Sequence, residues 1–455
     1  MRFIHVDSVS GLMFDPSRLL YIPTSATAAI IREIQSKYPK VIDTKPIDKY
    51  LNYKWDKVKF NSLAVEKVGI CTSQRCPLRC TYCMECSTDE PRAELSNRQI
   101  LLYVNDALEK RVIRGMLNPN ASGKPLPIYF TGGGEPTYGF DAFRDLIISI
   151  RDKAKEYNIP ISLRITTNGV YGIERMSFLC DNFSSIMISY DGMPSIQDNN
   201  RPGIYHKNTS KIVESNIRYV ISRHVPLSIR STILPKDISA LKHMADYMYK
   251  NFGKGFKWSL YPVKAKGRAI GKGFENAEND ADADFCDAFL SLHEYVQKHY
   301  GDVHISSPIF TMDKVDLFCG SIASRADITW LRADGRIVTC LEMGNEETKV
   351  GCVKKDAVIY NTEVTDAITR ITQERMSRCS KCIAFPFCRG GCPADHRNDN
   401  NANELTWGCR QTIKFWTHII GEVALGKKCF GWKVLPSRFD FFKDLGILEF
   451  SRGER

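Results

Sequence analysis

The stretch Cys76-Pro-Leu-Arg-Cys80-Thr-Tyr-Cys83 places three cysteines on one short loop with the spacing C-x-x-x-C-x-x-C. Iron–sulfur clusters are normally held by four cysteine thiolates, so three ligands would leave one iron of a [4Fe–4S] cube open to a substrate or cofactor. The alternatives are a zinc site or chance. Zinc loops usually pair cysteines as C-x₂₋₄-C and complete a tetrahedral site elsewhere, so the spacing favours the cluster.

A second motif, Ile128-Tyr129-Phe130-Thr131-Gly132-Gly133-Gly134-Glu135-Pro136, is an apolar strand that runs into glycines, a carboxylate and a proline. Consecutive glycines allow the backbone to approach a small ligand closely, because no Cβ intervenes. The glutamate could accept a charged amine. Taken alone, the run is equally compatible with a plain strand–turn–helix corner, but together with the cysteine loop it indicates a cofactor site.

The cysteine loop, Tyr82 and the glycine–glutamate strand resemble the radical S-adenosylmethionine (SAM) superfamily over about residues 65–265. The resemblance implies that the methionine part of SAM chelates the open iron and that the Tyr82 backbone meets the adenine. It assigns the methionine amine to Gly132, Gly133, Gly134 and Glu135. It also implies that Ser189 and Asn168 face the ribose or the methionyl carboxylate, and that Arg230 is a further carboxylate partner.

Composition places the chain among ordinary globular proteins. It has 455 residues, of which 43% are hydrophobic and 25% charged, and this length predicts two or three domains. No apolar run is long enough to span a bilayer and no signal peptide is recognisable, so we expect a cytoplasmic protein without a membrane partner. In that reducing compartment, its sixteen cysteines are more often metal ligands than disulfides.

The net charge of +11 comes from scattered basic residues mixed with acidic ones. A solvated surface explains it, an acidic peptide partner is the alternative, and no nucleic-acid partner is expected.

Strand-like and helical patterns alternate through residues 65–265, which predicts an α/β fold, a partial (β/α)6 TIM barrel. The predicted strands are Lys67–Cys71, Ile128–Thr131, Ser162–Thr167, Ser185–Tyr190, Leu227–Leu234 and Phe256–Val263. Helices are predicted at Asn97–Arg114, Phe140–Tyr157, Lys207–Arg223 and Ile238–Asn251. The motif residues all fall at strand ends, where the βα loops of a barrel converge on the active site.

The remaining chain predicts smaller parts. Residues 1–64 loosely resemble the small α+β, winged-helix-like domains that capture leader peptides by adding a strand to an exposed edge, although a plain cap on the barrel is the alternative. Its elements are predicted at Phe3–Val6, Gly11–Phe14, Arg18–Ile22 and, as a helix, Ser25–Lys37. Residues 266–310 form a bridging region, 311–410 a cysteine-rich domain, and 411–455 a C-terminal helical segment.

Eight further cysteines lie between Cys319 and Cys409. Their order resembles, position by position, the SPASM extension of many radical SAM peptide-modifying enzymes, with chance or a zinc ribbon as the alternative. The resemblance implies two auxiliary [4Fe–4S] clusters, hence three in the chain. The distal cluster is assigned to Cys379, Cys382, Cys388 and Cys409, and the proximal one to Cys319, Cys340 and Cys392.

Two cysteines leave alternatives open. Members with a fully ligated proximal cluster carry another cysteine where this chain has none, in Ser321–Thr339. The proximal cluster is therefore either open or closed by Cys352, which could also be a transient thiol partner or a packing residue. Cys86 is interpreted as non-ligating, because the chemistry needs an open iron.

The leading hypothesis is a radical SAM peptide maturase. A 5′-deoxyadenosyl radical would abstract a hydrogen from a ribosomally made precursor peptide, and oxidation would then form a thioether or C–C cross-link. The precursor's leader would bind the N-terminal domain, and a flavodoxin or ferredoxin would supply low-potential electrons.

Two alternatives remain. The first is anaerobic sulfatase maturation, in which cysteine or serine is oxidised to formylglycine. Those enzymes carry an aspartate base directly after the cysteine matched by Cys340, whereas this chain has Leu341 and then Glu342. The second is a non-enzymatic zinc-bound scaffold. For the enzymatic hypotheses, no catalytic acid or base can be assigned from the sequence.

Overall fold

The structure is a computed structural model that describes residues 2–5, 11–15, 20–23, 54–90, 93–117, 123–205, 208–272, 284–310, 322–323, 326–343, 346–379, 382, 384, 388, 390–396 and 405–424. These residues fall into two compact units. The first is drawn from Met1–Trp55, Ile309–Cys319 and Ile368–Arg455, and the second from Asp56–Pro308 and Gly320–Ala367. The region predicted as one domain, 311–410, is thus divided between the two units.

The described N-terminal part of the first unit is a three-stranded antiparallel sheet. Its strands are β1 (Arg2–His5), β2 (Gly11–Asp15) and β3 (Leu20–Pro23), in that order. They coincide with the three short strands that the sequence predicts. The helix predicted at Ser25–Lys37 lies outside the described residues.

Six parallel strands form the core of the second unit, and their order in the sheet is their order in the chain. They are β4 (Lys67–Ile70), β5 (Leu126–Phe130), β6 (Ile161–Thr167), β7 (Ser185–Ser189), β8 (Leu227–Ile233) and β9 (Phe256–Pro262). Neighbouring parallel strands need a crossover connection, which here contains helices. The predicted α/β fold, a partial (β/α)6 TIM barrel, is confirmed.

Helices cover one face of these strands and leave the other face less buried. They are α1 (Asn97–Leu117), α2 (Phe140–Glu156), α3 (Ile173–Asn182), α4 (Pro194–Asn200), α5 (Ser210–Ser222), α6 (Leu241–Phe252) and α7 (Phe285–Tyr300). Phe130 of β5 meets Phe143 of α2 edge to face, with ring centroids 5.3 Å apart. The alternate residues, such as Ser189 and Arg230, are only half-buried. Polar side chains therefore line the open face.

The sheet extends beyond both edges of the predicted barrel. β10 (Ile305–Ser306) pairs in parallel with β9, and β11 (Ile328–Leu331) pairs in parallel with β4. Antiparallel strands β12 (Arg336–Val338), β13 (Lys349–Val353) and β14 (Val358–Tyr360) complete eleven strands. Trp330 of β11 lies on Gly69 of β4, where a Cβ would come 1.9 Å from the indole. A glycine in β4 therefore lets the two strands pack.

Helices follow the sheet, and those whose bounds lie within the described residues are α8 (Ala367–Glu374), α9 (Met376–Cys379) and α10 (Trp407–Ala424). Within the first unit, Phe415 of α10 stacks on Phe310 with ring centroids 4.4 Å apart. This helix overlaps the first part of 411–455, the segment predicted to be helical, and residues 425–455 lie outside the described residues. Among the helices that the structure describes, none combines the length and apolarity needed to cross a membrane.

Candidate active site

The cysteine loop follows β4 and is fixed at several points by backbone hydrogen bonds. The Cys76 N–H donates to the Thr88 carbonyl (2.7 Å), and the Thr81 N–H donates to the Asn200 carbonyl at the end of α4 (2.9 Å). These bonds hold the loop from two directions. Its conformation is thus set by the barrel rather than by a ligand alone.

Burial and neighbouring thiols of the loop affect the ionisation of Cys76 and Cys80. Burial, together with the neighbouring Cys80 and Cys83, raises the pKa of Cys76 to about 12. Burial likewise raises the pKa of Cys80 to about 11, and Cys83 acts in the same direction. Like charges so close together disfavour ionisation, whereas a bound metal favours the thiolate form. Three soft sulfur donors at one place therefore fit an iron–sulfur cluster.

Cys86 contacts the backbone of Cys83, to which its N–H donates a hydrogen bond (3.3 Å). Its Sγ is 3.8 Å from the Cys83 carbonyl oxygen, within reach of a weak hydrogen bond, and its φ is +50°. The interpretation of Cys86 as non-ligating stays a prediction.

The glycine run after β5 packs directly on the cysteine loop. The Gly134 N–H donates to the Ser73 carbonyl (2.8 Å), and the Glu135 N–H donates to the Arg75 carbonyl (2.8 Å). A Cβ on Gly134 would lie 2.0 Å from the Arg75 oxygen, and one on Gly133 would lie 2.7 Å from the Ser73 oxygen. The sequence argument assigned these glycines to the approach of a ligand. In the structure the space they leave is filled by the protein's own backbone.

Glu135 is 2% exposed, and both of its carboxylate oxygens accept hydrogen bonds from protein. Oε1 accepts from the Thr137 N–H (3.3 Å) and from the hydroxyls of Thr137 and Thr167 (both 2.8 Å), while Oε2 accepts from the Asn168 N–H (2.8 Å). Burial raises the pKa of Glu135, and these donors partly oppose the rise. A carboxylate accepts about four hydrogen bonds, so Glu135 ties the β5 end to the β6 end. Its predicted contact with an amine remains a prediction.

Ser189 and Arg230 are register partners on β7 and β8. The Arg230 guanidinium carbon lies 3.8 Å from the centre of the Tyr261 ring, which fits a cation–π contact. The two residues assigned to SAM are therefore neighbours on the open face, as adjacent strand positions require.

Tyr82 takes part in a buried ionic network that the sequence analysis missed. Its hydroxyl donates a short hydrogen bond to Asp191 Oδ2, and the Arg201 Nε lies 3.1 Å from the same oxygen. The Thr232 N–H donates to Asp191 Oδ1 (2.9 Å). Asp191 is fully buried and burial raises the pKa of Tyr82, which keeps the phenol a donor. Removing one charge of such a pair typically costs about 3–5 kcal/mol.

A second missed contact comes from the turn after β9. The Arg268 guanidinium donates to the Cys80 carbonyl (3.2 Å) and, in a short hydrogen bond, to the Ser87 carbonyl. Gly267 has φ +58°, and a Cβ there would lie 2.4 Å from the Cys83 carbonyl oxygen. The only sequence feature that could have predicted the Asp191 network is an aspartate at the end of a strand. For the Arg268 contact, the only such feature is a turn that contains a glycine.

Glu342 lies among cations at the barrel mouth. Lys264 Nζ is 2.6 Å and Lys266 Nζ 3.7 Å from Glu342 Oε2. Burial acts to raise the pKa of Glu342, but these lysines and Arg230 outweigh it and lower the pKa. The preceding residue, Leu341, packs near Gly132: its Cδ1 would be 3.4 Å from a Cβ there. An aliphatic side chain thus occupies the position after Cys340.

The distal set of cysteines is organised by two arginines within the first unit. Arg375 Nη2 and Arg378 Nη2 lie 3.7 Å and 3.8 Å from Cys409 Sγ at the start of α10. Burial raises the pKa of Cys379, while Arg375 and Arg378, the latter as a hydrogen-bond donor, oppose the rise. Arg378 therefore contacts sulfurs that are distant in sequence. The Cys382 N–H also donates to the Cys379 carbonyl (3.0 Å).

The predicted proximal set is only partly described. Cys319 lies outside the described residues, Cys340 belongs to the second unit, and Cys392 belongs to the first. Cys352 of β13 pairs with Arg336, at the opposite end of the β12–β13 ladder from Cys340. Four residues along a strand span about 13 Å. The register does not bring Cys352 to Cys340.

Comparison with known proteins agrees with this geometry. Residues 70–248 match the Radical SAM superfamily. Two curated relatives are cysteine-type anaerobic sulfatase-maturating enzymes. The one from Clostridium novyi is 24% identical over 70% of this chain and 85% of its own length. The one from Clostridium perfringens (strain ATCC 13124) is 24% identical over 76% of this chain and 94% of its own length.

Solved structures share the fold. His-tagged anSMEcpe with bound AdoMet superposes with a TM-score of 0.61 at 18% identity, covering 78% of this chain and 97% of that one. Streptococcus suis SuiB bound to S-adenosylmethionine superposes with a TM-score of 0.52 at 15% identity, covering 90% of this chain and 98% of that one. SuiB bound to its precursor peptide SuiA gives 0.51 at 15% identity, with coverages of 90% and 100%.

The packing of the glycine run gives the first prediction. Gly134→Ala should separate the glycine run from the cysteine loop, because its Cβ would collide with the Arg75 carbonyl. We expect most of the iron to be lost after anaerobic reconstitution, measured by metal analysis and visible absorption. Gly139→Ala is the matched control, because nothing lies within 4 Å of a Cβ there. Normal iron content in Gly134→Ala would contradict the account.

Proposed function

Since residues 70–248 form a radical SAM domain, we propose that this enzyme oxidatively modifies a ribosomally synthesised precursor peptide, forming a thioether or C–C cross-link. A radical SAM domain implies a [4Fe–4S] cluster and S-adenosylmethionine. The finer chemistry rests on the second cysteine field, the barrel mouth and the relatives. A low-potential flavodoxin or ferredoxin would supply electrons.

Cys76, Cys80 and Cys83 would hold the cluster of the radical SAM domain. When bound, the cluster and S-adenosylmethionine together supply a 5′-deoxyadenosyl radical that removes a hydrogen atom from the substrate. The protein's part is to position the substrate and to exclude water. Ser189 and Arg230 on the open face would orient the polar groups of the cofactor. The network of Tyr82, Asp191 and Arg201 would hold the cysteine loop in place.

The observation that carries the proposal is the convergence of Arg378 on Cys379 and Cys409. Two cysteines separated in sequence share one cationic donor, as expected where thiolates gather at a metal. Cys382 and Cys388 would complete the ligands of a distal cluster. Forming a cross-link removes two hydrogen atoms from the peptide. The deoxyadenosyl radical would take one of them as a hydrogen atom, and the other would leave as a proton and an electron, for which a second metal centre would be the acceptor.

The proximal cluster would be open rather than closed by Cys352. Cys352 pairs with Arg336, four residues before Cys340 in the chain, which supports a cube that does not include Cys352. An iron with a free position could take a soft substrate thiolate. This supports thioether formation with a cysteine of the peptide. Cys319 and Cys392 would be the other ligands.

The leader of the precursor would bind the N-terminal sheet. Among the described strands, β1 and β3 are the edges of this sheet, and an edge strand can accept an added peptide strand through backbone hydrogen bonds. SuiB has been solved bound to its precursor peptide SuiA. The net charge of +11 would favour an acidic segment in the leader.

Sulfatase maturation is the second candidate, because both curated relatives are cysteine-type anaerobic sulfatase-maturating enzymes. The position of their expected aspartate base is Leu341 here, packed towards Gly132. The nearest carboxylate, Glu342, is paired with Lys264 and Lys266, and its lowered pKa makes it a weak base. This favours the peptide cross-link.

The iron content of cysteine variants tests whether a distal cluster is present in addition to the cluster of the radical SAM domain. Anaerobically reconstituted protein should carry about twelve iron atoms per chain, because each of the three proposed [4Fe–4S] clusters brings about four. Cys379→Ala with Cys382→Ala should lose about four of them, and Cys180→Ala should lose none. Zinc in place of iron, or no loss in the double variant, would overturn the distal site.

An assay with peptide substrates distinguishes cross-link formation from formylglycine formation. We expect the short peptide encoded beside this gene, incubated anaerobically with S-adenosylmethionine and a strong reductant, to lose two hydrogen atoms, as detected by mass spectrometry. A thioether would also remove one alkylatable thiol. Loss of sulfur with a new aldehyde, captured by a hydrazide probe on a sulfatase peptide, would instead establish formylglycine formation. An unchanged mass on both substrates would contradict the proposal.

A further inference from the structure

The side chain of Asn168, at the end of β6, lies directly against the cysteine loop. Its amide nitrogen Nδ2 is 3.7 Å from Cys76 Sγ, within hydrogen-bond distance for a sulfur acceptor. Asn168 is 8% exposed, so solvent cannot easily replace the contact. Sequence reasoning assigned this residue to the ribose or carboxylate of SAM. The geometry gives it a contact with a metal-ligating sulfur.

The orientation of the amide follows from its surroundings. Asn168 Oδ1 accepts a hydrogen bond from the Val170 N–H (2.8 Å), and a backbone N–H can only donate. The oxygen must therefore face Val170, which turns the nitrogen and its hydrogens towards Cys76. The alternative flip would place two donors against each other at Val170. The contact with Cys76 is thus N–H···S.

The backbone of Asn168 is held as firmly as its side chain. Its N–H donates to the buried carboxylate of Glu135 (2.8 Å), which is itself bound by Thr137 and Thr167. On the far side, Asn216 Nδ2 donates to the Gly169 carbonyl (2.9 Å) and fixes the next residue. The donor to Cys76 is therefore preorganised and not a mobile surface amide.

We propose that Asn168 is a positioning residue that raises the reduction potential of the cluster held by Cys76, Cys80 and Cys83. A hydrogen bond to a ligating sulfur withdraws negative charge and stabilises the reduced, more negative state of the cluster. The proposal depends on the radical SAM domain alone and not on the identity of the peptide substrate. The residue supplies one fixed donor to one of three ligands.

The test is a reductive titration of the anaerobic holoenzyme followed by electron paramagnetic resonance. The signal of this cluster is identified as the one that changes on addition of S-adenosylmethionine and is absent from Cys80→Ala. In Asn168→Ala we expect the midpoint potential to become more negative. A tenfold shift in the reduced-to-oxidised ratio corresponds to 59 mV for one electron.

Asn216→Ala is the matched control. It removes a buried amide that holds the same loop through the carbonyls of Gly169 and Tyr171 but touches no sulfur. We expect its potential to stay at the wild-type value. An equal shift in both variants would attribute the effect to a loosened loop and overturn the proposal, as would an unshifted potential in Asn168→Ala.

Asn168→Ser guards against a folding defect. A serine hydroxyl can still accept from the Val170 N–H but is too short to reach Cys76. We expect this variant to retain full iron and sulfide and to show the same negative shift. Loss of the cluster from both Asn168 variants would overturn the proposal, because it would show that Asn168 holds the loop together instead of tuning it.

Discussion

Close backbone packing between two loops, the glycine run after β5 and the cysteine loop after β4, is the constraint from which the site is built. At Gly134 the two backbones approach so closely that even a methyl group has no room. Neither loop belongs to regular secondary structure. Each loop stabilises the conformation of the other through backbone hydrogen bonds to the Ser73 and Arg75 carbonyls. The position of the three thiols thus follows from the parallel order of two neighbouring strands.

A buried ion pair further stabilises the cysteine loop beyond the backbone packing. Asp191 and Arg201 form an ion pair with negligible exposure, so loss of either partner would leave a charge with no solvent to stabilise it. Surface pairs such as Arg98–Asp356 are far more exposed and contribute about 0–1 kcal/mol each. The protein therefore concentrates its costly electrostatics around Tyr82 and Cys80. A rigid loop of this kind keeps its ligands in place while a cofactor binds and leaves.

The barrel could be predicted because its signals are local. Strand-like runs such as Ser185–Tyr190 and helical patterns such as Phe140–Tyr157 reappear nearly residue for residue as β7 and α2. The cysteine and glycine motifs were also visible, since both lie in single short stretches. What escaped prediction depends on distant pairing. Arg268 and the parallel pairing of β11 with β4 bring together residues that no local pattern relates.

The roles of individual residues were harder to predict from the sequence than the fold. Glu135 and Asn168 look like ligand contacts in the sequence because they are polar and stand at strand ends. Those ligand contacts stay predictions. The partners that the two residues have within the protein, two threonines, a backbone N–H and a cysteine sulfur, come from neighbouring strands and loops and could be identified only in three dimensions. For Cys352 the sequence left three roles open, and the structure adds that it pairs with Arg336 on the neighbouring strand.

The most direct measurement of the central claim is the release of 5′-deoxyadenosine from S-adenosylmethionine by the reduced, iron-loaded protein, followed by chromatography. The account predicts steady release by the wild type and none by Cys80→Ala, which removes one of the three thiols. Iron-loaded wild type that releases no deoxyadenosine, or a Cys80→Ala variant that releases as much, would contradict it.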